Sequence, residues 1–496
     1  MRVSEQGLGD VVRFRFDGVE HDARVGDTVA SALLAAGVRL MARSFKYHRP
    51  RGVLTAGSEE PNALITVGKG AYAEPNVRAT VQEVYDGLEV FSQSAWPSLH
   101  FDAMAVNDLA APFLGAGFYY KTFMWPKAFW EKVYEPVIRR AAGLGALSGK
   151  HNPDTYDKAF AFCDLLVVGS GPSGLMAATV AAEAGLDVIL CDEDACMGGR
   201  LLAEVEDVGD VPAAQWAAAQ VEKLAAMPNV RLMTRTTVTG AYDGGVFGAL
   251  ERVAHHLPRS GAPIECFWRI TAQRTVLCAG ALERPIAFQN NDRPGIMMAG
   301  AVRAYVNRWG VTAGRSVAVF GNNDDAHRTA RDLHAAGVNV AALIDSRADA
   351  QVGDVPYPVY LGAQVCGSSG RKALSSVKLR QGRKITELSV DCLAMSGGWN
   401  PTVHLTCHMN GRPQWVEGLA AFVPTPDAVP TLEAAGACNG AFSTAACLAE
   451  GAAAAGRVVE ALGAVVPSVE LPAAEDAPYR ISPLWAVAGK GRAWLD

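Results

Sequence analysis

The sequence predicts an α/β fold built on two strand–turn–helix–strand units of the kind that binds a dinucleotide. The first unit is marked by an apolar strand, a glycine-rich turn, a helix and a second strand at 165–168, 169–174, 175–184 and 188–191. The same order recurs as a strand, a turn, a helix and a strand at 316–320, 321–326, up to 336 and at 338–344. A further strand pattern at 275–280 and a Gly/Ala-rich helix at 444–462 indicate that one such domain is interrupted by the other.

The composition excludes several classes of function. Of 496 residues, 50% are hydrophobic and 19% are charged, which is enough to bury two or three cores. A net charge of −6 at pH 7 lacks the basic footprint of a nucleic-acid-binding protein. The apolar windows at 165–182 and 441–466 are interrupted, so neither predicts a membrane span. The charged N-terminus does not have a signal-peptide pattern, and we expect a soluble cytoplasmic protein.

The cysteines indicate neither a metal site nor a nucleophile. All ten lie at or after Cys163, and no two are spaced as Cys-x-x-Cys, which argues against a disulfide framework, a zinc ribbon and an iron–sulfur cluster. Cys407 and His408 are neighbours in sequence, but adjacency does not provide the geometry of a catalytic dyad. We therefore predict no metal ligands and no catalytic residue in this chain.

The turn at 169–174, Gly-Ser-Gly-Pro-Ser-Gly, has the spacing that a pyrophosphate requires. Gly169 permits the tight turn, Gly171 lets the pyrophosphate approach the backbone, and Gly174 lets the helix pack closely on the strand. The turn follows an apolar strand and opens a helix, which is the context that this motif needs. It therefore predicts a dinucleotide site.

An acidic run, Asp192-Glu193-Asp194, closes the second strand of this unit. A carboxylate there can bind ribose hydroxyls and repels a 2′-phosphate, which favours NAD or FAD over NADP. Gly198-Gly199-Arg200 follows at the spacing seen in flavoproteins with two dinucleotide domains, so FAD is the first candidate. In such enzymes a late strand usually ends in Gly-Asp, whose carboxylate holds the flavin's ribityl chain. The stretch at 435–440 has no such acid, which weakens the case for FAD.

The turn of the second unit departs from the phosphate-binding pattern. Asn323 stands where the close-approach glycine is needed, and Asp324 and Asp325 add negative charge near the phosphate position. Both features oppose pyrophosphate binding. This unit is predicted to keep the fold with an empty or altered site.

The sequence of the N-terminal part predicts a small α+β unit followed by a connector. Residues 12–40 indicate a strand, an Asp17-Gly18 turn, a strand and a helix. The basic stretch at 43–51 is either a solvated loop or an anion clamp for a flavin phosphate or a partner's acidic face. The aromatic-rich segment at 101–145 predicts a connector that packs against a large surface, within the chain or on a partner.

Several strings together resemble the α subunit of heterotetrameric sarcosine oxidase. They are Ser-Phe-Lys-Tyr-His-Arg-Pro-Arg-Gly at 44–52, Glu-Glu-Pro-Asn-Ala at 59–63, Glu-Arg-Pro-Ile-Ala-Phe-Gln-Asn-Asn-Asp-Arg-Pro-Gly at 283–295, and Ser-Gly-Gly-Trp-Asn-Pro at 396–401. The resemblance runs almost end to end. It implies a two-dinucleotide-domain, flavoprotein-type (FAD/NAD(P)-binding) α/β scaffold with an N-terminal β-grasp ferredoxin-like domain lacking cluster ligands, since residues 1–162 contain no cysteine.

The family further implies how the cofactors are shared. NAD is held in the first dinucleotide domain, FMN lies at the interface with a β subunit, and amine oxidation occurs on FAD in that partner, with further small subunits in the complex. NAD has no ribityl chain, which accounts for the missing acid. With the motif glycines, the predicted cofactor site consists of Gly169, Gly171, Ser173, Gly174, Asp192, Glu193, Asp194, Gly199, Arg200, Val238, Ala437, Phe442 and Thr444.

The predicted division of the chain follows from the motifs and the resemblance. It comprises a β-grasp domain, a connector, an NAD domain in two segments, a second degenerate dinucleotide domain and a C-terminal tail, at 1–100, 101–160, 161–310 with 390–470, 311–389 and 471–496. The family's α subunit continues into a folate-binding domain, whereas this sequence stops at Asp496, so no folate site is expected in it. Two other hypotheses remain: a self-contained FAD/NAD(P)H-dependent oxidoreductase, and a structural scaffold that has lost its ligand.

Overall fold

The N-terminal part forms a five-stranded sheet covered by one helix. The computed structural model describes residues 1–4, 9–109, 111, 125–143, 145–257, 260–489 and 491–494. The first elements are β1 (Val11–Phe16), β2 (Val19–Arg24), α1 (Val29–Ala35), β3 (Ala42–Arg43), β4 (Pro50–Arg51), β5 (Leu64–Val67), β6 (Glu74–Arg78) and β7 (Leu88–Ser92). The sheet order is β2-β1-β7-β5-β6. Asp17 and Gly18 turn the first hairpin at positive φ, as the sequence predicts, and Thr28 caps α1.

Helix α2 (Glu135–Ala142) follows the aromatic-rich connector. Residues 112–124, with five of the aromatic side chains that predict a packing surface, lie outside the described residues. Trp125 and Phe129 lie within the described part, and both are exposed. The prediction that the connector packs against a large surface therefore stays a prediction.

The first dinucleotide unit is a parallel sheet extended by an antiparallel ladder. Its elements are β8 (Tyr156–Val168), α3 (Pro172–Glu183), β9 (Val188–Cys191), β10 (Asp207–Val208), β11 (Val211–Pro212), α4 (Ala213–Ala225), β12 (Val230–Met233), β13 (Thr236–Tyr242), β14 (Val246–Arg252) and β15 (Glu265–Leu277). The sheet order is β12-β9-β8-β15-β14-β13. Strand β8 is 13 residues long, more than the predicted 165–168, because its first half pairs along β15 outside the buried core.

The second unit follows and carries a small antiparallel sheet. Its elements are β16 (Ala281–Glu283), β17 (Ile296–Met298), α5 (Ala299–Trp309), β18 (Ser316–Gly321), α6 (Asp324–Ala335), β19 (Asn339–Asp345), β20 (Val359–Leu361), β21 (Ala363–Ser369), β22 (Ser376–Gln381), β23 (Lys384–Ser389), β24 (Cys392–Ser396) and β25 (Trp399–Pro401). The chain then returns to the first unit through α7 (His404–His408), β26 (Gln414–Val416), β27 (Ala421–Val423), β28 (Leu432–Ala434) and α8 (Thr444–Ala461).

The sheet of the second unit draws on more of the chain than the predicted 311–389. Its order is β17-β24-β18-β19-β20, all parallel, so Ile296–Met298 and Cys392–Ser396 belong to it rather than to the first unit. Strand β28 pairs in parallel with the last three residues of β15 and completes the first sheet. Crossing points between the units therefore lie near 280–295 and 397–401.

The hydrophobic cores group the domains in a different way from their order along the chain. The N-terminal sheet and the second unit share one hydrophobic core, which includes Phe14, Leu33, Phe288, Phe320 and Leu343. The first unit has a separate core on each face of its sheet. The N-terminal domain therefore packs on the second unit.

The C-terminal segment (471–489 and 491–494) runs extended across all three parts. Gly209 of the first unit donates its amide to the carbonyl of Ala473 at 2.7 Å, and Ser482 donates to the carbonyl of Asn322 in the second unit at 2.9 Å. At its end, the Trp494 ring lies 5.0 Å from the Tyr47 ring of the N-terminal domain. No helix in the described ranges combines the length and apolar character needed to cross a membrane.

Candidate functional site

The three glycines of the first turn meet three different steric demands. Gly169 has φ +98°, and a Cβ on it would lie 2.4 Å from the carbonyl oxygen of Cys278. A Cβ on Gly174 would lie 1.8 Å from the carbonyl oxygen of Gly169. Around a Cβ built on Gly171, by contrast, nothing lies within 4 Å. The first and third glycines therefore permit the turn and the helix packing, and the second faces open space.

This open space lies at the N-terminus of α3. Gly171 is the N-cap, no side chain caps the helix, and Pro172 at its first position has no amide hydrogen to leave unpaired. The uncapped amides and the helix dipole favour an anionic group at this end. Ser173 lies in the first turn of α3, and its hydroxyl would be 2.4 Å from a Cβ on Gly436. The arrangement suits a pyrophosphate.

Asp192 is bound to the turn itself. Its Oδ2 accepts hydrogen bonds from the amide of Ser170 at 2.7 Å and from the Ser170 hydroxyl at 2.5 Å, and its Oδ1 accepts from the amide of Asp194 at 2.9 Å. Burial raises the pKa of Asp192 although these hydrogen bonds oppose the rise. The Ser170 hydroxyl also accepts from the amide of Gly198 at 3.1 Å. Ser170, which sequence reasoning missed, thus connects the turn, the acidic run and the double glycine.

The other two acids of the run have different surroundings. Glu193 is exposed and accepts from the Ser58 hydroxyl at 2.7 Å. Both oxygens of Asp194 accept from the guanidinium of Arg308, at 2.5 and 2.8 Å. Burial alone would raise the pKa of Asp194, but Arg308 outweighs it and lowers the pKa. Asp194 therefore holds the loop to α5, and contact of either acid with a cofactor stays a prediction.

Gly199 and Arg200 bring the following loop against the turn. Gly199 has φ +54°, and a Cβ on it would lie 2.8 Å from Cα of Gly171. Arg200 donates to Glu204 and, at 2.9 Å, to Asp325 in the turn of the second unit. Burial would lower the pKa of Arg200, but these two carboxylates raise it. Arg200 thus belongs to an inter-unit ion-pair cluster, which consists of Arg200, Glu204, Arg303, Asp325 and Arg328.

The remaining predicted residues come from two places in the first unit. Val238 lies half-buried on β13. At the start of this strand the amide of Thr236 donates to the carbonyl of Asp192 in the acidic run, at 2.7 Å. Ala437 lies in a short 3₁₀ helix just before α8. Thr444 opens α8 and donates its hydroxyl to Glu206 at 2.5 Å.

Phe442 contacts the C-terminal segment, whose place beside the predicted site sequence reasoning missed. Its ring packs against Tyr479 of the C-terminal segment, with 4.8 Å between ring centres. No local sequence signal marks Tyr479, because its neighbours at the site are distant in the chain.

The second turn is occupied by the protein's own groups. The Asn323 side chain accepts from the amide of Asp325 at 3.0 Å and donates to the Ser396 hydroxyl at 3.0 Å. The amide of Asp324 donates to the carbonyl of Arg480 at 3.2 Å. These contacts take backbone and side-chain groups that a phosphate would need.

The basic stretch at 43–51 is not a solvated loop. Arg51 is 1% exposed and pairs with Asp292, which also accepts from Arg49 at 2.6 and 2.9 Å. Burial would raise the pKa of Asp292, but the two arginines lower it. His48 lies 2.7 Å from Asp102. The stretch is an internal anchor between the N-terminal domain and the second unit.

These features define the class of protein. Residues 9–95 match the family model of the 2Fe-2S iron–sulfur cluster binding domain, although they contain no cysteine, and residues 164–242 match that of the FAD dependent oxidoreductases. The chain therefore combines a ferredoxin-like N-terminal domain with an oxidoreductase-type dinucleotide scaffold of mixed α/β structure. The crystal structure of L-proline dehydrogenase from P. horikoshii shares the fold, with a TM-score of 0.66 at 19% identity over 94% of this chain and 76% of that one.

Among proteins of this class, the chain is similar along its whole length to sarcosine oxidase α subunits. It is 51% identical to that of Rhizobium meliloti (strain 1021) over 100% of this chain and 51% of the relative. It is 38% identical to that of Corynebacterium sp. (strain U-96) over 94% of this chain and 46% of the relative. One opine oxidase subunit of R. meliloti (strain 1021) is 25% identical over 60% of this chain and 71% of that protein. The chain spans about half the length of the sarcosine oxidase subunits it matches.

Proposed function

We propose that this chain is the NAD-binding α-type subunit of a heteromeric flavin-dependent oxidase or dehydrogenase of sarcosine-like secondary or tertiary N-methyl amines. The observation that carries the proposal is the open, uncapped first turn at Gly171 in a chain 51% identical to a sarcosine oxidase α subunit. In this function the chain binds NAD and shapes the FMN site, and it does not itself oxidise the amine. Amine oxidation takes place on FAD in a β-type partner, and FMN lies at the border between the two.

The residues of the first turn fit NAD. The amides at the start of α3 bind the pyrophosphate, with Gly171 leaving room for it. Glu193 and Asp192 lie at the end of β9, where ribose hydroxyls are bound in such folds. The 3₁₀ helix at 436–439 offers no acid for a ribityl chain, and its Asn439 side chain donates to Glu450 at 3.2 Å.

Mass spectrometry of the denatured full chain tests the cofactor. We expect NAD to be released in about equimolar amount to the protein, whereas release of FAD alone would contradict the proposal. Copurification with tagged neighbouring gene products, followed by an amine-substrate panel, tests the partner and the substrate class.

A second candidate is a self-contained FAD/NAD(P)H-dependent oxidoreductase. The match of residues 164–242 to the FAD dependent oxidoreductases favours it. In that case the purified chain alone is yellow and oxidises NADH. A colourless chain that leaves NADH unchanged excludes this candidate, and a chain that also releases no dinucleotide indicates a structural scaffold.

A further inference from the structure

Three solvent-shielded polar atoms without hydrogen-bond partners lie at the seam between the two dinucleotide units. Within the described part of the chain, Oε1 of Glu283, Nε1 of Trp399 and the hydroxyl of Tyr479 have no such partner. Interior polar groups are normally paired, since leaving them unpaired costs free energy. The three atoms therefore indicate a missing polar partner.

The three side chains come from different elements but meet at one place. Glu283 on β16 and Trp399 on β25 are directly paired across an antiparallel ladder, so they lie on the same face. Gly300 in α5 leaves room beside them: a Cβ on it would lie 2.9 Å from Oε2 of Glu283 and 3.1 Å from Cη2 of Trp399. The Tyr479 hydroxyl arrives from the C-terminal segment, 2.9 Å from where Gly398 would carry a Cβ.

This polar cluster (Glu283, Trp399 and Tyr479) borders the predicted cofactor site on two sides. The Arg200 guanidinium lies 5.6 Å from the Trp399 ring centre, and Arg200 directly follows Gly199, which contacts the turn at Gly171. On the other side, the Tyr479 ring packs against Phe442, two residues before α8. A dinucleotide that begins at the first turn and continues towards α8 therefore passes the cluster.

The chemistry of the cluster selects the group it would bind. An indole N–H only donates, whereas a phenol hydroxyl can donate or accept. Burial, with a contribution from Asp325, raises the pKa of Glu283 to about 8, so this carboxyl is mostly protonated at neutral pH. Its Oε2 accepts from the amide of Gly300 at 2.7 Å, so the proton is on Oε1, which is an unpaired donor. An uncharged group with an acceptor and a donor side by side, such as a primary carboxamide, suits these three atoms.

We propose that Trp399, Tyr479 and Glu283 bind the nicotinamide carboxamide of NAD held at the first glycine turn. The Trp399 indole and the protonated Oε1 of Glu283 donate to the carbonyl oxygen, and the Tyr479 hydroxyl accepts from the amide nitrogen. This assignment rests on the proposed function. It makes the C-terminal segment part of the cofactor site. If it holds, a dinucleotide without a nicotinamide leaves the three polar atoms of the cluster unpaired.

Binding measurements on the full chain, freed of nucleotide and refilled, test the assignment. The ligands are NAD, its 3-acetylpyridine analogue, which lacks the amide nitrogen, and ADP-ribose, which lacks the ring. We expect NAD to bind about tenfold or more tightly than either. Tyr479→Phe and Trp399→Phe should each weaken NAD binding about tenfold and leave ADP-ribose binding unchanged. Tyr242→Phe, at an exposed tyrosine on β13, is the matched control.

The failures of the two proposals are distinguishable. If wild type binds NAD and ADP-ribose equally, or if the variants weaken both ligands alike, the carboxamide assignment is overturned and the dinucleotide site stands. If wild type binds neither ligand, the proposed function falls as well. Thermal unfolding of each variant without ligand shows whether it is folded, and Tyr479→Phe keeps the ring that packs on Phe442.

Discussion

Arg200 donates from Nη2 to Oδ1 of Asp325 at 2.9 Å, and this bond joins the loop of the first glycine turn to the turn of the second unit. Asp325 also accepts from Arg303 at 3.1 and 3.2 Å. In the sequence, this carboxylate counts against phosphate binding at the second turn. In the structure it pairs with Arg200 of the first unit and Arg303 of the second. The altered second turn is therefore joined by ion pairs to the loop at Arg200 and to α5.

Asp325→Asn should destabilise the protein strongly. The change keeps the size of the side chain but removes the nearer of the two carboxylates that pair with the buried Arg303, the other being Glu204 at 3.6 Å, and breaking a buried pair costs about 3–5 kcal/mol. Denaturant unfolding measures the free energy. The control is Asp349→Asn, whose ion pair with Arg480 is exposed, so about 1 kcal/mol or less is expected. Equal effects of the two changes would show that the cluster is not a structural anchor.

Two alanine substitutions in the first turn should affect different properties, one the stability of the fold and the other the affinity for NAD. Gly174→Ala places a Cβ 1.8 Å from the carbonyl oxygen of Gly169, and we expect a loss of about 1–3 kcal/mol or more in unfolding free energy. Gly171→Ala meets only open space, so ligand-free stability should be nearly unchanged while NAD affinity falls at least about tenfold. Thermal unfolding and equilibrium dialysis measure the two quantities. Unaltered NAD binding by Gly171→Ala would place the dinucleotide elsewhere.

Glu283 should make stability fall as the pH rises from weakly acidic to weakly basic. Its folded-state pKa of about 8 lies above the ordinary 4.5, so between these values the folded protein binds more protons at this group than the unfolded chain. Its contribution to stability decreases through this window by up to about 1.4 kcal/mol per pH unit. Glu283→Gln cannot titrate, so its unfolding free energy relative to wild type should increase from about pH 5 to about pH 8. A constant difference across that range would contradict the pKa shift.

Asn323→Gly should not create a second nucleotide site. Although the change restores the glycine of the motif, the amide of Asp324 still donates to Arg480 and the carbonyl of Asn322 still accepts from Ser482. We expect nucleotide analysis of the denatured variant to give the same NAD-to-chain ratio as wild type. A doubled ratio would show that Asn323 alone closes the second turn.

The local elements of both units follow from short-range rules. Strand β9 begins and ends where the sequence predicts, and α6 and α8 agree within a few residues, because short apolar runs, caps and glycine turns act over a few positions. The predicted limits of the second domain differ from the observed sheet. Strand β24 joins it after a long excursion through β20–β23, and no pattern within Cys392–Ser396 specifies its neighbour.

The sequence by itself determined the fold class and the first glycine turn, since the steric demands at Gly169, Gly171 and Gly174 arise within one strand–helix junction. Only the tertiary structure decided the partners of the side chains around that turn. Asp194 meets Arg308 from 114 residues away, and Arg200 meets Asp325 from 125. Such ion pairs depend on how two domains pack, and a sequence pattern records the charge of a side chain but not which distant charge will compensate it.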